Sequence, residues 1–343
     1  MRRYLQSYLG TNLAVLVATL VLFYWPFGSA TLWPIVQDHP GAIGTKDWYM
    51  NFRRSNTTQA LDREVMYHGI GHSMEHARDA DIVILGHSMG LFAFDWRLLQ
   101  EFSKEHGVKI FNLSSGGDTS GEFLLQVALK NGLRPKIWLI NADDHEKDFF
   151  SDYVSAVAKG EAADVMSYGL TRALLNTIGR NLKWRFEILL RQLLPRFVVA
   201  LIYPVEPIVN YRSVQHGNWQ NDDWPGYQTQ NPAITNVREP DCHAAPEVIA
   251  TAKKYVKRLG SGEVVLTLIP YANSCRTKAK EIAAALGVPF LSVDWKNMTS
   301  FDKGGHLDAE GARKFTKAVL EQLVQTKAFR DAVAKRTSES APK

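Results

Sequence analysis

Short apolar runs alternate with amphipathic stretches along most of this chain, and that alternation sets the fold class. Residues 81–85, 108–113, 136–142, 264–270 and 289–293 read as strands, and the stretches between them carry apolar residues at helical spacing, the last over 309–324. Strand and helix in turn predict an α/β fold, a three-layer α/β/α parallel sheet. Ligands bind such a sheet at the carboxyl ends of its strands, near the point where strand order reverses.

The rhythm breaks in three places. Arg2 and Arg3 precede an uncharged stretch over residues 5–36, most apolar over 13–27 and ending near Tyr24 and Trp25. It predicts a membrane anchor with a cytoplasmic N-terminus and the remainder outside the inner membrane. A cleaved signal peptide, with Gly28-Ser29-Ala30 as its small-residue site, is the alternative, and both readings export the body. Residues 37–80 read as a polar stalk with helical content and no strand pattern. Residues 81–326 form the α/β domain, and 327–343 a loose tail.

The third break is an insertion over about 151–240, helical, basic and aromatic. Residues 172–197 mix Leu, Ile, Trp184 and Phe186 with Arg180, Lys183, Arg185, Arg191 and Arg196, and 198–205 are almost purely apolar. An amphipathic helix on a membrane surface or a membrane partner has this pattern, and so has a core helix with a solvated basic face. Farther on, Trp219, Trp224 and Tyr227 lie among Asn221, Asp222 and Asp223, as sugar-stacking rings or as packing.

Composition changes the picture little. The apolar fraction is 45% and the net charge +5, but the basic residues do not form a long run interleaved with aromatics, so nucleic acid is excluded as a partner. The only two cysteines suit an exported protein. Cys242 lies just before a predicted helix and Cys275 just after the strand that follows, at one edge of the sheet, so a disulfide and two unpaired thiols both remain open.

Candidate chemistry converges on that carboxyl edge. Gly86-His87-Ser88-Met89-Gly90 follows the first strand of the sheet and fits G-x-S-x-G, in which glycines permit a tight, strained turn and let a carbonyl approach the serine. Gly71-His72-Ser73-Met74 repeats four of these letters without a preceding strand. A serine hydroxyl needs a base, and His306, just before the last helix, is the candidate, with Asp302 to orient it and Asp308 as a fallback acid. The Ser88 amide, Gly116 or Gly117 after the second strand, and Asn141 at the end of the third are candidate oxyanion donors, with Asp143 beside them as a substrate-binding candidate. This chemistry calls for no cofactor and no metal. His72-Ser73-Met74-Glu75-His76 fits H-x-x-E-H, with His68 one turn earlier, but Gly69 and Gly71 weaken the helix and a solvated polar face explains the same residues. His145 with Asp143, Asp144 and Glu146 forms a further polar cluster, for which metal ligation has no support.

Gly86-His87-Ser88-Met89 after the first strand, Asn112-Leu113-Ser114-Ser115-Gly116-Gly117 after the second, the polar block after the third, and residues 302–306 before the last helix together resemble the SGNH (GDSL-like) hydrolases, over roughly 81–150 and 241–325. The resemblance implies a flavodoxin-like sheet and serine acyl chemistry. Anchored members that modify envelope polysaccharides work with a multi-pass membrane acyltransferase, so it further implies acyl transfer to, or removal from, a cell-envelope glycan by a single-pass inner-membrane protein whose catalytic domain is periplasmic or extracellular. Three features depart from the family's pattern. Asp302 stands four residues before His306 instead of three, Asn141-Ala142-Asp143-Asp144 replaces G-x-N-D, and His87 replaces an aspartate. An esterase or lipase of α/β-hydrolase type is the enzymatic alternative, though it predicts several strands before the serine and no strand pattern is read between the anchor and Asp81. A non-catalytic assembly protein for a membrane acyltransferase is the alternative of another class.

Overall fold

The computed structural model describes residues 11–12, 48–54, 58–60, 62–70, 73–116, 121–142, 149–150, 161–202, 208–222, 224–229, 233–234, 242–271, 274–295, 297–302 and 305–339. The membrane-anchor and signal-peptide expectations fall outside these, apart from Thr11 and Asn12, which are helical. Among the described residues no helix is long and apolar enough to cross a membrane.

The chain enters the fold through two strands, β1 (Trp48–Arg54) and β2 (Thr58–Ala60), then two helices, α1 (Asp62–His68) and α2 (Glu75–Arg78). Residues 37–80 are therefore not a strandless stalk. Met66, Met74, Ala77 and Ala80 are buried in the main core. The strand pattern was hidden because β1 has no clean alternation of apolar and polar positions, and its main partner lies far along the chain.

Strand β3 (Ile82–Leu85) then opens the α/β body, leading through α3 (Ser88–Ala93) and α4 (Trp96–His106) to β4 (Ile110–Asn112), and through α5 (Gly121–Lys130) to β5 (Ile137–Asn141). Asp95 caps α4 by accepting from the amides of Arg97 and Leu98, and Gly107 ends it in the left-handed conformation. The insertion supplies α6 (Glu161–Ser167), α7 (Leu170–Leu193), α8 (Arg196–Ile202) and a strand, β6 (Ile208–Ser213). The body resumes with α9 (Pro246–Leu259), β7 (Glu263–Thr267), α10 (Arg276–Leu286), β8 (Phe290–Leu291), α11 (Ala309–Val324) and α12 (Lys327–Glu339).

Five strands form one sheet in the order β4-β3-β5-β7-β8, every neighbouring pair parallel. Counted along the chain that order is 2-1-3-4-5, the flavodoxin-like doubly wound arrangement, whose switch point lies between β3 and β4's side and β5. The period-two alternation of strand side chains divides the core into two layers. Val83, Leu85, Phe111, Trp138, Ile140 and Leu266 face α5, α9 and α10, whereas Ile82, Ile84, Ile110, Leu139 and Val265 face α3, α4, α11 and α12.

The second sheet is antiparallel, in the order β2-β1-β6, with Trp48 opposite Ser213 and Arg54 opposite Ile208. The insertion is thus only partly helical, because β6 completes a sheet begun by residues 48–54. Tyr49 of β1, Val65 of α1 and Ala173 of α7 share a satellite core. An ion pair buried on both sides, Arg212 Nη1 to Asp62 Oδ2 at 3.3 Å, ties β6 to α1. Arg212 also donates to the carbonyl of Asn112 at 2.6 Å, joining the small sheet to the end of β4.

The expected loose tail is a helix as far as Glu339. Thr326 Oγ1 accepts the Phe329 amide, and Ala328, Phe329 and Ala332 are buried in the core. Phe329 packs on Phe102 and His106 of α4. Phe329 and Val333 are the only large apolar side chains of this charged stretch, too few to read as an amphipathic face.

Candidate active site

Ser88 is the first residue of α3, at the carboxyl end of β3. The preceding His87 is extended, and the only non-glycine residue with positive φ among the described residues is Asn297. The serine turn is therefore unstrained, contrary to expectation, and neither flanking glycine has positive φ. Their role is room. A Cβ on Gly86 would meet Ser114 Oγ at 3.1 Å and Asn141 Cβ at 3.3 Å, and one on Gly90 would meet Ser114 Oγ at 2.4 Å. The turn is pressed between the ends of β4 and β5.

His306 comes to Ser88 from the segment between β8 and α11. Its Nε2 lies 2.9 Å from Ser88 Oγ, and its Nδ1 is hydrogen-bonded to Asp302 Oδ2. A proton on Nδ1, placed there by the carboxylate, leaves Nε2 as the acceptor of the Ser88 hydroxyl proton. The four-residue spacing is met by a closed turn. Asp302 Oδ1 accepts from the amides of His306 (2.5 Å) and Gly305 (3.1 Å), while Ser300 and Leu307 pair as an antiparallel bridge. A Cβ on Gly305 would lie 3.2 Å from Asp302 Oδ1, so a glycine lets the turn fold over the carboxylate.

Burial pushes the Asp302 carboxyl up, but hydrogen bonds and charge from His306 outweigh it, and the group ends below its ordinary range. Phe301 stacks on the imidazole (centroids 5.9 Å apart) and Phe92 meets it in an edge contact (5.0 Å). Phe92 in turn packs on Trp219, Trp224 and Tyr227. Trp219 and Tyr227 are only 4% and 5% exposed, so of the two readings of these rings the structure favours packing behind the histidine over stacking on sugar.

The fallback acid takes another role. Asp308 caps α11, its Oδ1 accepting from the Gly311 amide at 2.9 Å and from Thr299 Oγ1 at 2.5 Å.

Among the candidate oxyanion donors, the Ser88 amide sits in the first turn of α3, where backbone N–H groups have no helical acceptor. Asn141 is fully buried beside the turn, and its Oδ1 accepts the Ile269 amide at 2.8 Å, which fixes Nδ2 as the donor end. Gly116 lies against Trp219 and Leu91, and its carbonyl accepts from Arg63 at 3.4 Å. Gly117 and Asp143 lie outside the described residues, as do Asp144, His145 and Glu146.

Sequence reasoning missed the residue that joins these parts. Asn112 Nδ2 donates to the Gly90 carbonyl (3.0 Å) and to Asn218 Oδ1 (2.9 Å), and its Oδ1 accepts the Ser114 amide (3.0 Å). It locks α3, the loop after β4 and the insertion together at zero exposure. A polar residue ending an apolar strand was the available signal.

Cys242 and Cys275 are joined by a disulfide, their Cα atoms 6.2 Å apart. The H-x-x-E-H string does not occupy one helix: α1 ends at His68, α2 begins at Glu75, and His72 is outside the described residues. No cluster able to hold a metal occurs among the described residues.

The geometry suits proton transfer from a serine hydroxyl to an imidazole backed by a carboxylate. In comparisons with known proteins, no family model matches the chain, and no curated protein or solved structure matches it.

Proposed function

We propose that this chain is a membrane-anchored, extracytoplasmic serine acyl-transfer enzyme of SGNH type that acts on a cell-envelope polysaccharide. The observation that carries the reading is the relay from Ser88 Oγ through His306 to Asp302, assembled from two ends of the chain 218 residues apart.

In this reading Ser88 Oγ attacks the acyl carbonyl carbon while His306 Nε2 takes its proton. The carbonyl oxygen becomes an oxyanion for which the Ser88 amide and Asn141 Nδ2 are the proposed donors, of a kind whose removal costs roughly 3 kcal/mol in a well-studied hydrolase. Collapse breaks the bond to the leaving alcohol, which receives the proton from His306, and leaves the acyl group on Ser88. An acceptor hydroxyl then attacks with His306 again as base, and Ser88 is regenerated. A sugar hydroxyl as acceptor gives transfer, and water gives hydrolysis. A multi-pass membrane acyltransferase is the proposed supplier of the acyl group.

The decisive measurement is labelling by an active-site phosphonate. Wild type should be labelled and Ser88→Ala should not. If both proteins are folded and wild type is left unlabelled, the catalytic reading fails and a non-catalytic assembly protein takes its place.

A further inference from the structure

Charge is unevenly spread on this chain. Between residues 170 and 205 stand Arg172, Arg180, Lys183, Arg185, Arg191 and Arg196 against the single acidic residue Glu187, an excess of five that equals the net charge of the whole chain. Glu187 is itself buried. Arg172, Lys183 and Arg196 are exposed and Arg180 pairs with the buried Glu64, so the described surface of α7 and α8 presents cations without an exposed carboxylate.

Apolar surface is concentrated at the same place. Leu193 at the end of α7 is 69% exposed, and Phe197 and Leu201, one turn apart on one face of α8, are 70% and 80% exposed. Ile202 continues the patch, and every residue of α8 except Arg196 is apolar. Isolated exposed leucines are ordinary, but exposed apolar side chains gathered over residues 193–202, with the exposed Arg196 among them, are the make-up of an interfacial membrane-binding helix.

We infer that the apolar end of this helix pair, Leu193 with Phe197, Leu201 and Ile202, docks in the interfacial layer of an anionic lipid bilayer. The exposed cations match anionic headgroups, and the protruding side chains match the acyl boundary beneath them. The sequence holds a second feature suited to the same bilayer, the uncharged stretch over residues 5–36. The inference rests on the exposed helix and not on acyl chemistry, so it survives or fails separately from the role of Ser88.

The disulfide occupies both native cysteines, so Leu201→Cys in the whole chain offers one thiol for a fluorescent probe. Lys317→Cys, at a position 74% exposed on α11, serves as the reference. The proteins are reconstituted in phosphatidylcholine vesicles containing phosphatidylglycerol, then exposed to nitroxide-bearing lipids and, separately, to aqueous iodide. Lipid quenching should be several-fold stronger at 201 than at 317, and should fall when phosphatidylglycerol is omitted or salt is raised. Iodide quenching at 201 equal to that at 317 overturns the inference. Shielding of 201 from both quenchers overturns it too, because it marks a protein cover, the chain's own N-terminal stretch included. The same readings are expected in Ser88→Ala.

Discussion

Asp302 and Asp308 stand four residues before and two residues after His306, yet each holds a different part in place. Asp302 fixes the imidazole tautomer, so Asp302→Asn is expected to lower turnover of an ester substrate by roughly 10³–10⁴-fold, the scale seen for the corresponding change in a serine protease. Asp308→Ala removes a helix cap and should cost about 1 kcal/mol of stability with turnover largely kept. Ester turnover and urea midpoints measured on both variants separate the roles, and equal losses of turnover would remove the special place given to Asp302. Because its interactions with His306 hold the Asp302 carboxyl down, the stability they bring is present above the ordinary carboxylate range and is lost only as pH falls through the lowered value. Ser88, His306 and Asp302 were legible because each belongs to a glycine-marked turn at a strand or helix end. Asn112 was not, since beyond the local Ser114 amide its partners Gly90 and Asn218 lie on two other segments that only the fold brings to it.

At the scale of elements, the close seating of α3 against the end of β4 explains why a glycine follows the serine by two positions. Gly90→Ala would drive its Cβ into Ser114, whose Oγ is buried without a hydrogen-bond partner among the described residues. A loss of about 1–3 kcal/mol is expected from the overpacking. Adding Ser114→Gly should recover much of it, and a double-mutant cycle on urea midpoints checks this, since strictly additive losses would place the strain elsewhere. The same scale shows where the sequence was readable. The five parallel strands and α11 announced themselves by runs of apolar residues, with α11 found at the expected 309–324. Strands β1 and β6 did not, because a strand pairing with a distant segment is specified by that partner, and Arg53, Arg54 and Arg212 interrupt the apolar pattern. Helix α12 escaped because its hold on the core is four side chains, two of them alanines.

For the whole molecule, His216 marks the seam between the two sheets. Its ring stacks on Trp96 of α4 with centroids 5.5 Å apart and meets Trp48 of β1 edge-on, while its carbonyl accepts the Asn112 amide at 2.9 Å. Burial, helped by the charge of Arg212, pushes the imidazole down to about 4. The unfolded chain then binds this proton first as pH falls, so stability should decline from about pH 6.5 to about pH 4, by roughly 1–2 kcal/mol between about pH 7 and about pH 5. His216→Phe, which keeps an aromatic ring beside Trp96, should flatten that slope in urea titrations at the two pH values. An unchanged slope would assign the acid sensitivity to other groups.

The pairing of Trp48 with Ser213 also has a consequence for the order in which the molecule is made. A chain emerging from its N-terminus delivers β1 early, yet β1 lacks its long antiparallel neighbour until Ser213 has emerged, after three strands of the parallel sheet. Through that interval Tyr49 has only part of its burial and one edge of β1 stays open to stray partners. Synthesis therefore passes through a stage at which a holding chaperone is of most use, and it ends when the insertion closes the small sheet.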